Sequence, residues 1–235
     1  MRIFADCLEA IKEIERDLME MGVFVSVERM QDRDVHGLSE YETKEIIGYS
    51  FCILDTSDKD KLLEYMRLDT LEWCRAEFAE RVSGKKINPG KAWKLRSSVW
   101  KEFLHDYSRR KKFAYSYAER ITPQIKNVIA ELKKNPSTRQ AVISIFNPSL
   151  DNKKIGKDRI PCSCLYNFII RNAKLQLIYT MRSADMLTHF PNDLWLAVSF
   201  HEHVAKQAGI KKGNLIVFVS SLHVYRKDLE SRGIF

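Results

Sequence analysis

A chain of 235 residues, 45% hydrophobic and 30% charged, is long enough to bury a substantial core and has the make-up of an ordinary globular protein. No apolar stretch approaches the roughly 20 residues of a membrane span, and Met1 to Met21 mixes acids and bases where a signal peptide would be apolar, so a cytoplasmic protein without a membrane partner is expected. The 39 basic against 31 acidic residues, a net charge of +8, point to an anionic partner; a monophosphate accounts for only a few of these charges, so nucleic acid stays an alternative.

Residues Phe4 to Met21 read as an amphipathic helix, with Leu8, Ile11, Ile14 and Leu18 on one stripe. Phe24 to Val27 and Ile46 to Leu54 read as strands. Between them lies the charged loop Glu28 to Glu42, whose Arg29 and Arg33 make it a candidate cover for a phosphate. Leu62 to Val82 reads as one long helix containing Trp73, broken by Ser83 to Pro89. Val99 to His105 and Ile121 to Lys134 read as helices, and Ala141 to Phe146 as a strand. The apolar run Leu165 to Ile170 and the strand Leu175 to Met181 are joined by the short hairpin Arg171-Asn172-Ala173-Lys174. Trp195 to Ala208 is helical, and Leu215 to Val219 is a buried strand leading into Ser220-Ser221. Nothing marks a repeat or a boundary, so a single α/β (α+β) domain over 1–235 is expected, with a large mixed sheet flanked by helices.

Functional chemistry concentrates in the second half. Cys162 follows Pro161 at the start of a strand, and Arg182-Ser183 ends another. A free cysteine is usually a small buried hydrophobe, but its thiolate is a nucleophile, and a guanidinium at the neighbouring strand end would lower its pKa. His223 and Tyr225, two apart on an extended segment, project from one face. Five cysteines without framework spacing argue against disulfides. Cys162-Ser163-Cys164 has no second Cys or His pair at ligand spacing, so no metal is expected.

Asn135-Pro136-Ser137-Thr138-Arg139, Pro161-Cys162, Arg182-Ser183-Ala184-Asp185 and His223-Val224-Tyr225 together resemble the thymidylate synthase superfamily, and within it the cytidylate 5-hydroxymethylases. The resemblance covers roughly Leu71 to Tyr225. It implies a thymidylate synthase-like fold forming a sheet-to-sheet homodimer, a pyrimidine nucleoside monophosphate as substrate and 5,10-methylenetetrahydrofolate as one-carbon donor. Cys162 would add to C6 of the base, with Tyr117 and Asp185 as further catalytic residues. Arg182 and Ser183 would hold the phosphate together with Arg139 from the partner subunit. Asn167 would also bind substrate, and His223 with Tyr225 would take the ribose 3′-hydroxyl.

Asp193 stands where thymidylate synthases have Asn. A carboxylate accepts hydrogen bonds, which suits the N4 amino group of cytosine and repels O4 of uracil. The residue also precedes Leu194-Trp195-Leu196, so a helix N-cap is the competing role.

Three departures qualify the resemblance. Thr70 occupies the position ahead of Leu71-Glu72-Trp73 where the family carries a glutamate, leaving Glu72 as the expected proton-transfer carboxylate. Gln140 replaces the second arginine of an Arg-Arg pair, with Arg29, Arg33 or Arg120 as candidate compensation. The sequence ends ten residues after Tyr225, short of the family's closing segment, which favours water over hydride as the final reactant.

Overall fold

A computed structural model describes residues 1–30, 33–107, 110–152 and 159–233. Eight strands form one mixed sheet: β1 Arg2–Phe4, β2 Val23–Val25, β3 Thr43–Ile53, β4 Val142–Ser144, β5 Ser163–Arg171, β6 Lys174–Met181, β7 Ala184–Asp185 and β8 Lys211–Tyr225. The order is β1-β3-β8-β6-β5-β4, with β2 added to β3 and β7 to β8. The mixed sheet and flanking helices follow the expected fold class.

Helix α1, Cys7–Met21, begins where the Asp6 carboxylate accepts from the Glu9 amide at 2.9 Å. Its buried stripe includes Ile11, Ile14 and Leu18 as the spacing predicts. The expected helix over 62–82 is two helices, α2 Lys61–Tyr65 and α3 Leu71–Val82. Arg67 between them has φ 54°, a left-handed backbone that ends the first helix. The helix expected over Val99 to His105 is instead a series of short helical turns within 92–103, running into the strand His105–Tyr107.

Helix α4, Tyr117–Lys134, starts four residues earlier than its apolar period suggests. Ser116 and Glu119 close a reciprocal capping box there, a device worth about 1 kcal/mol. The hairpin joining β5 and β6 turns on Asn172 and Ala173, both at positive φ (52° and 56°), the primed geometry that matches strand twist.

Helix α5, Phe190–Ala208, is the most buried helix and ends at Gly209 with φ 75°. Leu194, Val198 and Val204 pack into the core with Tyr179 and Phe168 from the strands. The other face of the sheet exposes Phe218 and Val142. No helix among the described residues is long and apolar enough to cross a membrane.

Candidate active site

The strand ends of β5, β6 and β8 and the first turn of α5 converge on one cleft of about 650 Å³, within the usual size range of small-molecule sites. Cys162, Arg182, Ser183, Asp185, Asp193, His223 and Tyr225 all line it, and so does Tyr117 from the start of α4.

Cys162 stands just before β5. Arg182 Nη2 lies 3.8 Å from its Sγ, and the Arg182 backbone N–H donates to the Cys162 carbonyl at 2.9 Å, so the two strand ends do meet. The Arg182 guanidinium also donates to the carbonyls of Pro161 (2.9 Å) and Ile160 (3.0 Å), which fixes it beside the thiol. The net pKa shift is opposite to that expected from sequence. Burial pushes the Cys162 thiol up, and Arg182 draws it only part of the way back.

Beneath Cys162, the fully buried Ser163 hydroxyl is hydrogen-bonded to Tyr179 (2.6 Å) and Tyr117 (3.1 Å). Tyr117 lies under the Arg81 guanidinium, 3.8 Å from its ring centre. Burial holds the Tyr117 phenol well above its usual pKa, so it acts as a neutral hydroxyl.

Asp193 is not the helix cap. The N-cap of α5 is His189, and Asp193 lies in the first turn with its backbone N–H bonded to the His189 carbonyl at 3.1 Å. Its carboxyl is aimed into the cleft, and desolvation raises its pKa to about 6 against the pull of Arg81 and Arg96. Asp185 is raised to about 7, by burial and by Asp228. His223 and Tyr225 sit together on β8 with ring centres 5.3 Å apart.

Three expected site residues lie outside the cleft. Glu72 is exposed on α3, and the carboxylates that line the cleft from that helix are Glu77, which accepts from the buried Arg81 at 2.8 Å, and Glu80, which accepts from the Ala92 amide at 2.9 Å. Trp73, Glu77, Glu80 and Arg81 share a helical face, and Glu72, about 100° from Trp73, does not. Thr70 serves the fold: its hydroxyl donates to the buried Asn192 at 2.5 Å. Asn167 pairs across the sheet with Ile178 and Val142, on the face away from the helices. Arg139 is exposed and absent from the lining of its own chain's cleft.

Of the arginines considered as compensation, Arg120 is taken up by Asp151 at 2.9 Å. Arg29 and Arg33 do reach the cleft, carried by the short hairpin Arg29–Met30 and Arg33–Asp34. Arg33 is paired with Glu102 across it. Arg159, in the run Arg159-Ile160-Pro161-Cys162 and given no site role from the sequence, stacks its guanidinium over Trp100 (4.5 Å) and Phe103 (4.2 Å) at the cleft edge. Among the described residues no group of acids, histidines and cysteines could hold a metal.

A family model for thymidylate synthase matches residues 60–232, and the chain belongs to that family. A protein of Methanocaldococcus jannaschii provisionally named a thymidylate synthase is 33% identical over 125 residues, 52% of this chain and 56% of its own length. The deoxyuridylate hydroxymethyltransferase of Bacillus phage SP01 is 38% identical over 179 residues, 63% of this chain and 46% of its own. The chain thus spans about half the length of these relatives. The crystal structure of thymidylate synthase from phage T4 superposes with a TM-score of 0.67 over 94% of this chain and 78% of that one, at 21% identity, and shows the same fold.

Proposed function

We propose that this chain transfers a one-carbon unit to C5 of a cytidylate, with water completing the reaction to give a 5-hydroxymethyl nucleotide. The observation that carries this reading is the convergence of Cys162, Arg182, Asp193, His223 and Tyr225 on one cleft. Each has a distinct task. Cys162 adds to C6, which makes C5 nucleophilic, stays bonded to C6 while the exocyclic methylene is present, and is expelled as the C5–C6 double bond re-forms after water has captured the methylene. Arg182 and Ser183, with Arg29 from the hairpin, hold the phosphate through charge-assisted hydrogen bonds. His223 and Tyr225 take the sugar.

Asp193 reads the base. As a carboxylate it accepts from the N4 amino group, and its raised pKa lets it share a proton with N3 of cytosine. Glu77, close enough to Asp193 to raise its pKa, moves the proton on the water that captures the methylene. Asp185 and Tyr117 contribute a carboxyl poised near neutrality and a neutral phenol beside the nucleophile.

The donor implied by the family is 5,10-methylenetetrahydrofolate, which supplies a carbon at the oxidation level of formaldehyde. The lining fits a flat heterocycle. Trp93, Trp100, Phe103 and Phe113 form an aromatic wall, and the Trp100 indole N–H is buried there without a partner among the described residues.

A homodimer follows from Arg139, which has a task only if it crosses to a neighbouring cleft. The exposed sheet face with Phe218 and Val142 is the surface for that contact. A second reading, uridylate hydroxymethylation, follows the name of the phage relative, and Asp193 is the residue that separates the two.

The test is exchange of the C5 hydrogen of CMP or dCMP with deuterated solvent in the absence of donor. Exchange with the wild type and none with Cys162→Ser supports addition at C6. Equal exchange from both would remove Cys162 from the mechanism.

A further inference from the structure

Glu45 on β3 and His223 on β8 are paired directly across the sheet. Two positions along β8 from His223, the Ser221 hydroxyl is bonded to the Glu45 carboxylate and lies 3.3 Å from His223 Nδ1. All three side chains line the cleft beside Tyr225. A serine hydroxyl has one proton to give and a carboxylate has none. Ser221 therefore donates to Glu45, and the remaining contact is satisfied only if Ser221 accepts from an N–H at Nδ1.

We propose that Glu45, acting through Ser221, fixes His223 as the Nδ1–H tautomer, so that the bare Nε2 accepts a hydrogen bond from the substrate's 3′-hydroxyl. Burial lowers the pKa of His223, and the Ser221 backbone and the Glu45 charge pull it only part of the way back, so the ring is neutral and has a single N–H to place. Among the described residues no lysine or arginine is ion-paired with Glu45, which leaves its carboxylate to act on Ser221. Glu45 is thus a positioning residue.

The consequence is a rule for substrates, resting on the nucleotide reading above. The sugar must present a hydroxyl that can donate. A 3′-deoxy sugar loses the bond, and a 3′-phosphate places an acceptor against an acceptor.

The test has two arms on the full chain. The first needs no ligand: two-bond proton–nitrogen correlation spectra of the nitrogen-15-labelled protein report which ring nitrogen of His223 is protonated. The wild type should show Nδ1 protonated and Nε2 bare. In Glu45→Ala, where Ser221 is free to donate to the ring, the two nitrogens should average or exchange roles. A protonated Nε2 in the wild type, or unchanged shifts in Glu45→Ala, would overturn the proposal.

The second arm is the Kd of dCMP, CMP and their 3′-deoxy analogues. Glu45→Ala and Ser221→Ala should each weaken the 3′-hydroxyl nucleotides by roughly 3–10-fold, as expected for one hydrogen bond, and leave the 3′-deoxy analogues unchanged. Ser221→Thr, which keeps the hydroxyl, should restore both readouts. Equal losses for both sugars would contradict the proposal. If wild type binds no nucleotide, the nucleotide reading falls while the nitrogen shifts still decide the tautomer.

Discussion

Arg182 Nη2 stands 3.8 Å from Cys162 Sγ, on a guanidinium clamped by the carbonyls of Ile160 and Pro161. The proposed nucleophile and the guanidinium beside its thiol are thus held by backbone, on two strand ends that meet. Yet the cleft is dry enough that burial outweighs the cation and the thiol pKa is raised. Alkylation of Cys162 by iodoacetamide in the free protein should therefore keep rising with pH above the range of an ordinary thiol. Arg182→Met should slow it further at every pH below the plateau. A rate already saturated at pH 7 would show that the thiol is activated without substrate.

Cys162→Ser should abolish turnover, because a serine hydroxyl is a far weaker nucleophile than a thiolate near neutrality. Cys164→Ser should be nearly silent, since that side chain does not line the cleft. Product assays on the two variants check this, and equal losses would contradict it.

Glu77 and Glu72 make opposite predictions. Glu77→Gln keeps an oxygen for Arg81 and removes the ionisable proton, so kcat should fall by about 10²–10⁴-fold with nucleotide Kd little changed, while Tm falls because the buried Arg81 loses its counter-charge. Glu72→Gln, on the exposed side of α3, should leave kcat alone. Steady-state kinetics on both variants decide between the two carboxylates.

Asp193→Asn should shift the kcat/KM ratio from cytidylate toward uridylate. An unmatched buried acceptor costs roughly 1–3 kcal/mol, and the Asn amide can donate to O4. The same variant has a pH signature. Asp193 has a folded pKa of about 6, above the ordinary carboxylate value of 3.8, so folding favours the protonated form. Wild-type stability is unpenalised below about pH 4, declines between about pH 4 and 6, and stays lower above. Asp193→Asn should therefore gain Tm over wild type across that window and hold the gain at higher pH. A constant Tm difference at all pH values would show that burial does not strain the carboxyl.

The exposed Arg139 tests the dimer. At equal mixing of Arg139→Ala and Cys162→Ser subunits, half the dimers are mixed, and each mixed dimer has one complete site. About a quarter of wild-type activity should return after subunit exchange. No recovery, or a monomer in sedimentation, would contradict the crossing arginine.

The residues that converge from strand ends were legible in the sequence because strands and turns fix where such side chains point. Pro161-Cys162, Arg182-Ser183 and His223-Val224-Tyr225 each carry their own geometry. Helical positions were harder to read. Glu72 is one position from Trp73 and so off the face that Trp73, Glu77, Glu80 and Arg81 share, and only the packed helix shows Glu77 turned to the cleft and Thr70 bonded to Asn192. A helix cap was the competing role for Asp193 because it precedes the apolar run, but Phe190 and Pro191 already form the first turn. The Glu45–Ser221–His223 line joins residues 176 apart in sequence, a pairing that only strand register discloses. Arg159 stands in the run that leads to Cys162, but its place over Trp100 and Phe103 was not legible, because those aromatic partners come from distant turns.

The central claim is hydroxymethylation of a cytidylate, and the most direct measurement is mass spectrometry of nucleotides after incubating the protein with methylenetetrahydrofolate and CMP, dCMP or dUMP. A cytidylate heavier by one formaldehyde unit, formed faster than any uridylate product and absent with Cys162→Ser, is the predicted result. Methylated dUMP as the main product, or no nucleotide product from any of the three, would contradict it.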